Sequence, residues 1–123
     1  TFNVEMLHAT TPRLPIRESG YMVAFANAPT YGHGMRIAPA AVLDDSRLDI
    51  CFLRSTGKLR LLRLLPKVFS GGHVALKEVE YFQAERLRVE TELPLDVYAD
   101  GEYICQTPIE VSVLPRALRV IVP

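Results

Sequence analysis

A chain of 123 residues suits one domain with a single core that buries about two-thirds of the surface its unfolded form exposes. Its 14 basic and 14 acidic residues cancel, so no net field draws it to nucleic acid, and the absence of Trp removes a common base-stacking platform. It contains no apolar run of about 18 residues and no charged-then-apolar leader, so it is expected neither to span a membrane nor to be exported.

Cys51 and Cys105 stand apart in apolar, strand-like surroundings without CxxC spacing. They read as two reduced thiols of a cytoplasmic protein, a single disulfide being the lesser alternative. The chain begins at Thr1 and passes at once into a strand-like FNVEML, so it is expected to be a piece of a longer polypeptide. Phe2, Val4 and Met6 alternate with Asn3 and Glu5, which predicts a half-buried strand ending at His8. Residues 9–20, ATTPRLPIRESG, are rich in Pro, Thr, Ser and charge and read as a surface loop. Tyr21, Met22, Val23, Ala24 and Phe25 then form a continuous apolar run within a strand over 21–28, expected to be covered on both faces.

Residues 27–49, NAPTYGHGMRIAPAAVLDDSRLD, mix backbone-special residues with acids. Gly32 and Gly34 bracket His33, where the chain can take positive φ or let another group approach closely. His33 is thereby either exposed at a ligand-facing turn or an ordinary loop residue. Pro29 and Pro39 keep this run out of a helix interior and out of a central ladder. Asp44 and Asp45 follow the apolar pair Val42 and Leu43 in a turn. Such a turn is either an Asx turn between two strands or a hard-cation site made of carboxylate and backbone oxygens.

Leu48, Ile50 and Phe52 alternate with Asp49 and Cys51 to give a third strand. From 58 to 69 the period changes: Leu61, Leu62, Leu65 and Phe69 fall at 3.6-residue spacing, and Lys58, Arg60, Arg63 and Lys67 fill the remainder. One amphipathic helix is predicted, kinked or divided by Pro66 and stopped by Gly71 and Gly72. Its basic side is either solvated or laid on an anionic bilayer. Beyond His73 the alternation returns at Leu87, Val89 and Thr91, at Leu95 and Val97, at Ile109, Val111 and Val113, and at Leu118, Val120 and Val122. Asp100-Gly101 signals a hairpin, and Pro94, Pro108 and Pro115 punctuate strand ends. The fold class is therefore mainly β, an antiparallel β-sandwich or flattened barrel with one short helix.

Turns at strand ends are where a stiff sandwich presents chemistry. Glu102, just after Asp100-Gly101, is either a solvated turn residue or a carboxylate placed to take the proton of an alcohol during phosphorylation. His8, His33 and His73 lack the spacing of a zinc site, and no GxSxG, HExxH or P-loop motif occurs. Hydrolase and zinc-enzyme readings have no support.

NAPTYGHGMRIAPAAVLDDSRLDI resembles the segment N-x-x-x-x-G-G-G-M-x-I-A-P-x-A-x-x-x-D-G-x-L-D-V of bacterial lipid kinases of the diacylglycerol kinase catalytic-domain family. LPKVFSGGHVALKEVEYFQAERLRVE and VYADGEYICQTPIEVSVLPRALRVIVP match later blocks of that family in order, so the resemblance covers nearly the whole chain. Its relatives include sphingosine and ceramide kinases and, more distantly, NAD kinases. The resemblance implies that residues 1–123 are the C-terminal β-sandwich domain of a two-domain kinase. Its N-terminal domain binds ATP through a Gly-Gly-Asp-Gly-Thr loop that does not occur here, so the piece alone is expected to be inactive. It implies Glu102 as the catalytic base with Asp100 beside it, and Mg²⁺ held by Asp45 with the backbone carbonyls of Val42 and Arg47. It also implies a lipid acceptor at a membrane surface, diacylglycerol first or alternatively a sphingoid or other long-chain alcohol. The implied partners are the N-terminal domain and possible homodimer formation, in a cytoplasmic setting peripheral to the inner membrane face. A non-catalytic lipid-binding or regulatory module of the same fold is the further alternative, because His33 replaces one family glycine and Ser46-Arg47 replace Gly-Leu in the metal turn.

Overall fold

The computed structural model describes residues 2–8, 15–28 and 36–115, together with 117 and 121. In chain order its elements are β1 (Phe2–His8), β2 (Ile16–Glu18), β3 (Gly20–Ala26), β4 (Leu48–Arg54), helix α1 (Lys58–Ser70) and a 3-10 turn (Gly72–Ala75). There follow β5 (Val79–Ala84), β6 (Arg86–Thr91), β7 (Asp96–Ala99), β8 (Glu102–Gln106) and β9 (Ile109–Ser112). All pairings among the described residues are antiparallel: β2-β1-β6-β9 in one sheet, β3-β4-β5 in a second, and β7-β8 as a two-stranded hairpin.

The alternation read from the sequence builds the core. Phe2, Val4, Ile16, Leu87 and Val89 of the four-stranded sheet meet Leu48, Ile50, Phe52 and Ala84 of the three-stranded one. Phe52 packs edge-on against Phe2 with ring centroids 5.7 Å apart, so one aromatic pair joins the two layers. This is the antiparallel sandwich with one helix that the pattern predicts. Arg54 clamps the layers at one end, donating to Glu18 of β2 at 2.5 Å, to Glu80 of β5, and to the carbonyl of Lys77 at 2.8 Å.

Several local expectations give way. The loop read over 9–20 contains β2, where Ile16 is buried and pairs with Val4; one apolar side chain in a polar segment suffices when a core face waits opposite it. The run over 21–28 is not covered on both faces: β3 stands at the edge of its sheet, with Tyr21 48% and Met22 37% exposed. The doubly covered strand is β4, buried from Leu48 to Phe52. Its outer side chains Cys51 and Leu53 face Leu61 and Leu64 of α1 across a shared cavity, so the helix converts an alternating strand into a fully buried one. The stretches forming β5 and β8 escaped the periodic reading. Gly32, His33, Gly34 and Pro29 lie outside the described residues, as does the strand expected over 118–122 apart from 121.

The helix α1 runs unbroken through Pro66, although the missing N–H removes one intrahelical bond. It ends where Gly71 takes φ 79° in the left-handed region; a side chain there would also press on Pro39, 3.1 Å away. Among its described side chains the best buried is Leu64, while Leu62, Leu65 and Phe69, read as part of the apolar stripe, are exposed.

Candidate functional site

Asp100 at φ 50° and Gly101 at φ 83° take the two positive-φ positions of a tight hairpin turn, as the Asp-Gly dipeptide predicts. Glu102 opens β8 opposite Ala99, and both Asp100 and Glu102 are exposed. At the other end the hairpin is tied down: Thr107 N–H donates to Leu95 O at 2.9 Å, and Leu95 N–H donates to Thr107 Oγ1 at 2.9 Å. The hydroxyls of Thr107 and Thr91 hydrogen-bond to each other, joining this base to the end of β6. Tyr98 and Tyr103 stack edge-to-face across the hairpin, centroids 6.1 Å apart. The carboxylate thus sits at the free tip of a braced arm.

The second acidic bend leads into β4. Asp45 Oδ1 accepts the Arg47 backbone N–H at 2.9 Å, which is the Asx turn anticipated as one of two readings. Ser46 between them holds φ 59°, a left-handed conformation that favours glycine. The Arg47 side chain swings away from the bend, its Nη1 3.4 Å from Gln83 Oε1 and its Nε 4.0 Å from Glu85. Among the described residues no basic side chain pairs with Asp45 and no three His, Cys, Asp or Glu side chains converge. A half-buried carboxylate in such a bend offers a hard oxygen donor, the type that suits Mg²⁺. No hydrogen bond or ion pair among the described residues links this bend to the Glu102 turn.

Behind the bend lies a buried polar cluster. Asp49, 1% exposed, accepts from the Tyr81 hydroxyl and from Gln83 Nε2 at 3.0 Å. Burial and then the Asp49 carboxylate push the Tyr81 phenol above its ordinary range. The start of β4, just after the acidic bend, is thus pinned to β5. Periodicity treated Asp49 as the polar half of a strand; an acid preceding an otherwise apolar run, with Tyr81 and Gln83 at matching parity on a later segment, was the available signal.

A partly open cavity of about 40 Å³ lies between α1 and the three-stranded sheet. Its walls come from Met22 and Leu53, from Leu61, Leu64 and Leu65, and from His73 of the 3-10 turn, with Cys51 at its floor. His73 is 3% exposed and its Nε2–H donates to Ile37 O at 2.9 Å. Both cysteines are free thiols, as predicted, and burial pushes Cys51 up to about 11, so it stays protonated and inert. No helix among the described residues is long and apolar enough to cross a membrane.

Comparison with known proteins adds a frame. A family model described as "YegS C-terminal NAD kinase beta sandwich-like domain" matches residues 8–122. The chain is 42% identical over 99 residues to a diacylglycerol kinase of Mycobacterium tuberculosis, a match covering 80% of this chain and 32% of that protein. It is 25% identical over 103 residues to a diacylglycerol kinase of Bacillus subtilis, covering 84% and 33%. Its fold superposes on the crystal structure of a diacylglycerol kinase from Bacillus anthracis str. Sterne with TM-score 0.70 and 23% identity, covering 93% and 38%. The chain therefore spans about a third of the length of the relatives it matches.

Proposed function

The chain belongs to the YegS C-terminal NAD kinase beta sandwich-like domain family, and from that premise we propose that it forms the acceptor-binding half of a lipid kinase. In this reading the intact protein moves the γ-phosphoryl group of ATP to a lipid hydroxyl, with diacylglycerol as acceptor and phosphatidic acid as product. ATP is held by an upstream lobe of the same polypeptide, at the cytoplasmic face of a membrane where the acceptor resides.

The observation that supports the reading is the lining of the cavity under α1: nearly every wall is hydrocarbon, which gives a polar metabolite little to bind, and a cavity of about 40 Å³ has to widen to admit an acyl chain. Glu102 accepts the proton of the acceptor hydroxyl as its oxygen attacks the γ-phosphorus; the new O–P bond forms, the bond to the β-phosphate breaks, and ADP leaves. Asp100 shares the turn and adds negative charge beside that base. Asp45 with the carbonyls of Val42 and Arg47 would hold Mg²⁺, which when bound supplies positive charge that fixes the bend.

The test is phosphoryl transfer by the full-length protein to dispersed diacylglycerol. Glu102→Gln is expected to lower turnover roughly 10²- to 10⁴-fold. Its melting temperature should not move, because the side chain is exposed. Undiminished turnover removes Glu102 from the role. Preferential transfer to a sphingoid base or another long-chain alcohol replaces the acceptor, and no transfer to any lipid by a protein with an intact nucleotide site replaces the enzyme with a binding module.

A further inference from the structure

The apolar side of helix α1 is wider than the sheet covers. Leu61 and Leu64 turn toward the sheet, whereas Leu59, Leu62 and Phe69 are 75%, 64% and 55% exposed, and Leu65 at the cavity wall is 51% exposed. At about 100° per residue, Leu59, Leu62, Leu65 and Phe69 fall within roughly a third of the circumference, an arc that adjoins the buried side at Leu65. Arg63 and Lys67 border this arc and Lys58 stands at its first turn; all three are exposed and form no ion pair among the described residues. The helix contains no acid. Arg60, by contrast, is held by Glu78 at 2.9 Å.

A helix that only covers a sheet shows a polar outer face. Four large outward apolar side chains bordered by unpaired cations are instead the make-up of a helix lying in the plane of a bilayer surface. We infer that α1 docks on an anionic bilayer, Leu59, Leu62, Leu65 and Phe69 entering the acyl boundary while Lys58, Arg63 and Lys67 meet lipid phosphates. Leu65 belongs both to the outer arc and to the cavity wall, so docking brings the cavity against the bilayer. A hydrocarbon chain that enters by widening the cavity then does so without crossing water. That last step rests on the lipid kinase reading; the docking does not.

The experiment is flotation of the full-length protein with vesicles of phosphatidylcholine alone or mixed with phosphatidylglycerol. Binding is expected to the mixed vesicles and to fall as salt is raised. Arg63→Gln and Lys67→Gln should each weaken it roughly fivefold, and Leu62→Ser with Phe69→Ser at least about tenfold. Melting temperatures should stay at the parent value, since these side chains are exposed. Variants that bind like the parent overturn the inference, as does equal binding to neutral and mixed vesicles. So does a dimer, seen by sedimentation, that Leu62→Ser with Phe69→Ser dissociates while vesicle binding is unchanged, for then a second copy covers the face. Transfer to a dispersed short-chain diacylglycerol separates the two readings. Vesicle binding through α1 without transfer to any lipid sinks the kinase and leaves the docking. Transfer with vesicle binding indifferent to α1 does the reverse.

Discussion

Ser46 shows how one residue departs from an otherwise favourable turn. Its φ of 59° is a region where any side chain costs about 1 kcal/mol and glycine costs nothing steric. Ser46→Gly is therefore expected to raise stability slightly, by a few tenths to about 1 kcal/mol after the added freedom of the unfolded chain is subtracted. Chemical denaturation reads this directly, and a loss above about 1 kcal/mol would mean that the serine hydroxyl, not the backbone, governs the bend. The acids at 45, 100 and 102 were legible because turns betray themselves in short dipeptides. Asp49 was not: only the register that sets Gln83 opposite it, and brings Tyr81 alongside, reveals that a strand acid has become the centre of a buried cluster.

At the scale of elements, α1 is held by more than its apolar inner face. Glu78, 7% exposed and just ahead of β5, accepts from Arg60, whose hydrogen bond holds this carboxyl below its usual range. The folded state binds that proton less readily than the unfolded one. The stabilisation is therefore complete above the unfolded carboxylate value near about 4.3 and is lost as pH falls from there through the lower folded value. Glu78→Gln should flatten the acid limb of stability in that window, and thermal melts of both proteins between about pH 5 and pH 3 check it. An equally steep limb in the variant would assign the acid sensitivity elsewhere. The helix itself was readable from its period and its glycine stop. Which of its faces turns inward was not, because Leu occurs on both sides and only the partner sheet selects Leu64.

In the molecule as a whole, the two layers meet around Phe52, and Gly20 leaves room for that ring. A Cβ at Gly20 would come within 2.6 Å of the Phe52 ring and 2.8 Å of the Leu53 carbonyl, neither of which can yield without moving a strand. Gly20→Ala is expected to cost on the order of 1–3 kcal/mol by overpacking. A matching fall in melting temperature with the β-rich circular dichroism retained would bear this out; an unchanged melt would mean that β3 shifts freely at the sheet edge. The sandwich was visible in the alternation of β1, β6 and β9. The order of strands was not, since pairings such as Phe2 with Thr91 join distant parts of the chain and leave no local trace.

The Thr91–Thr107 hydroxyl contact stands at one end of the β7-β8 arm and Glu102 at the other. Five residues of strand at about 3.4 Å each make that arm some 17 Å long. It therefore works as a lever: a pivot of about 5° at the threonines swings the tip by roughly 1.5 Å. Where the Glu102 carboxylate points is thus set from a fulcrum at the far end of the arm.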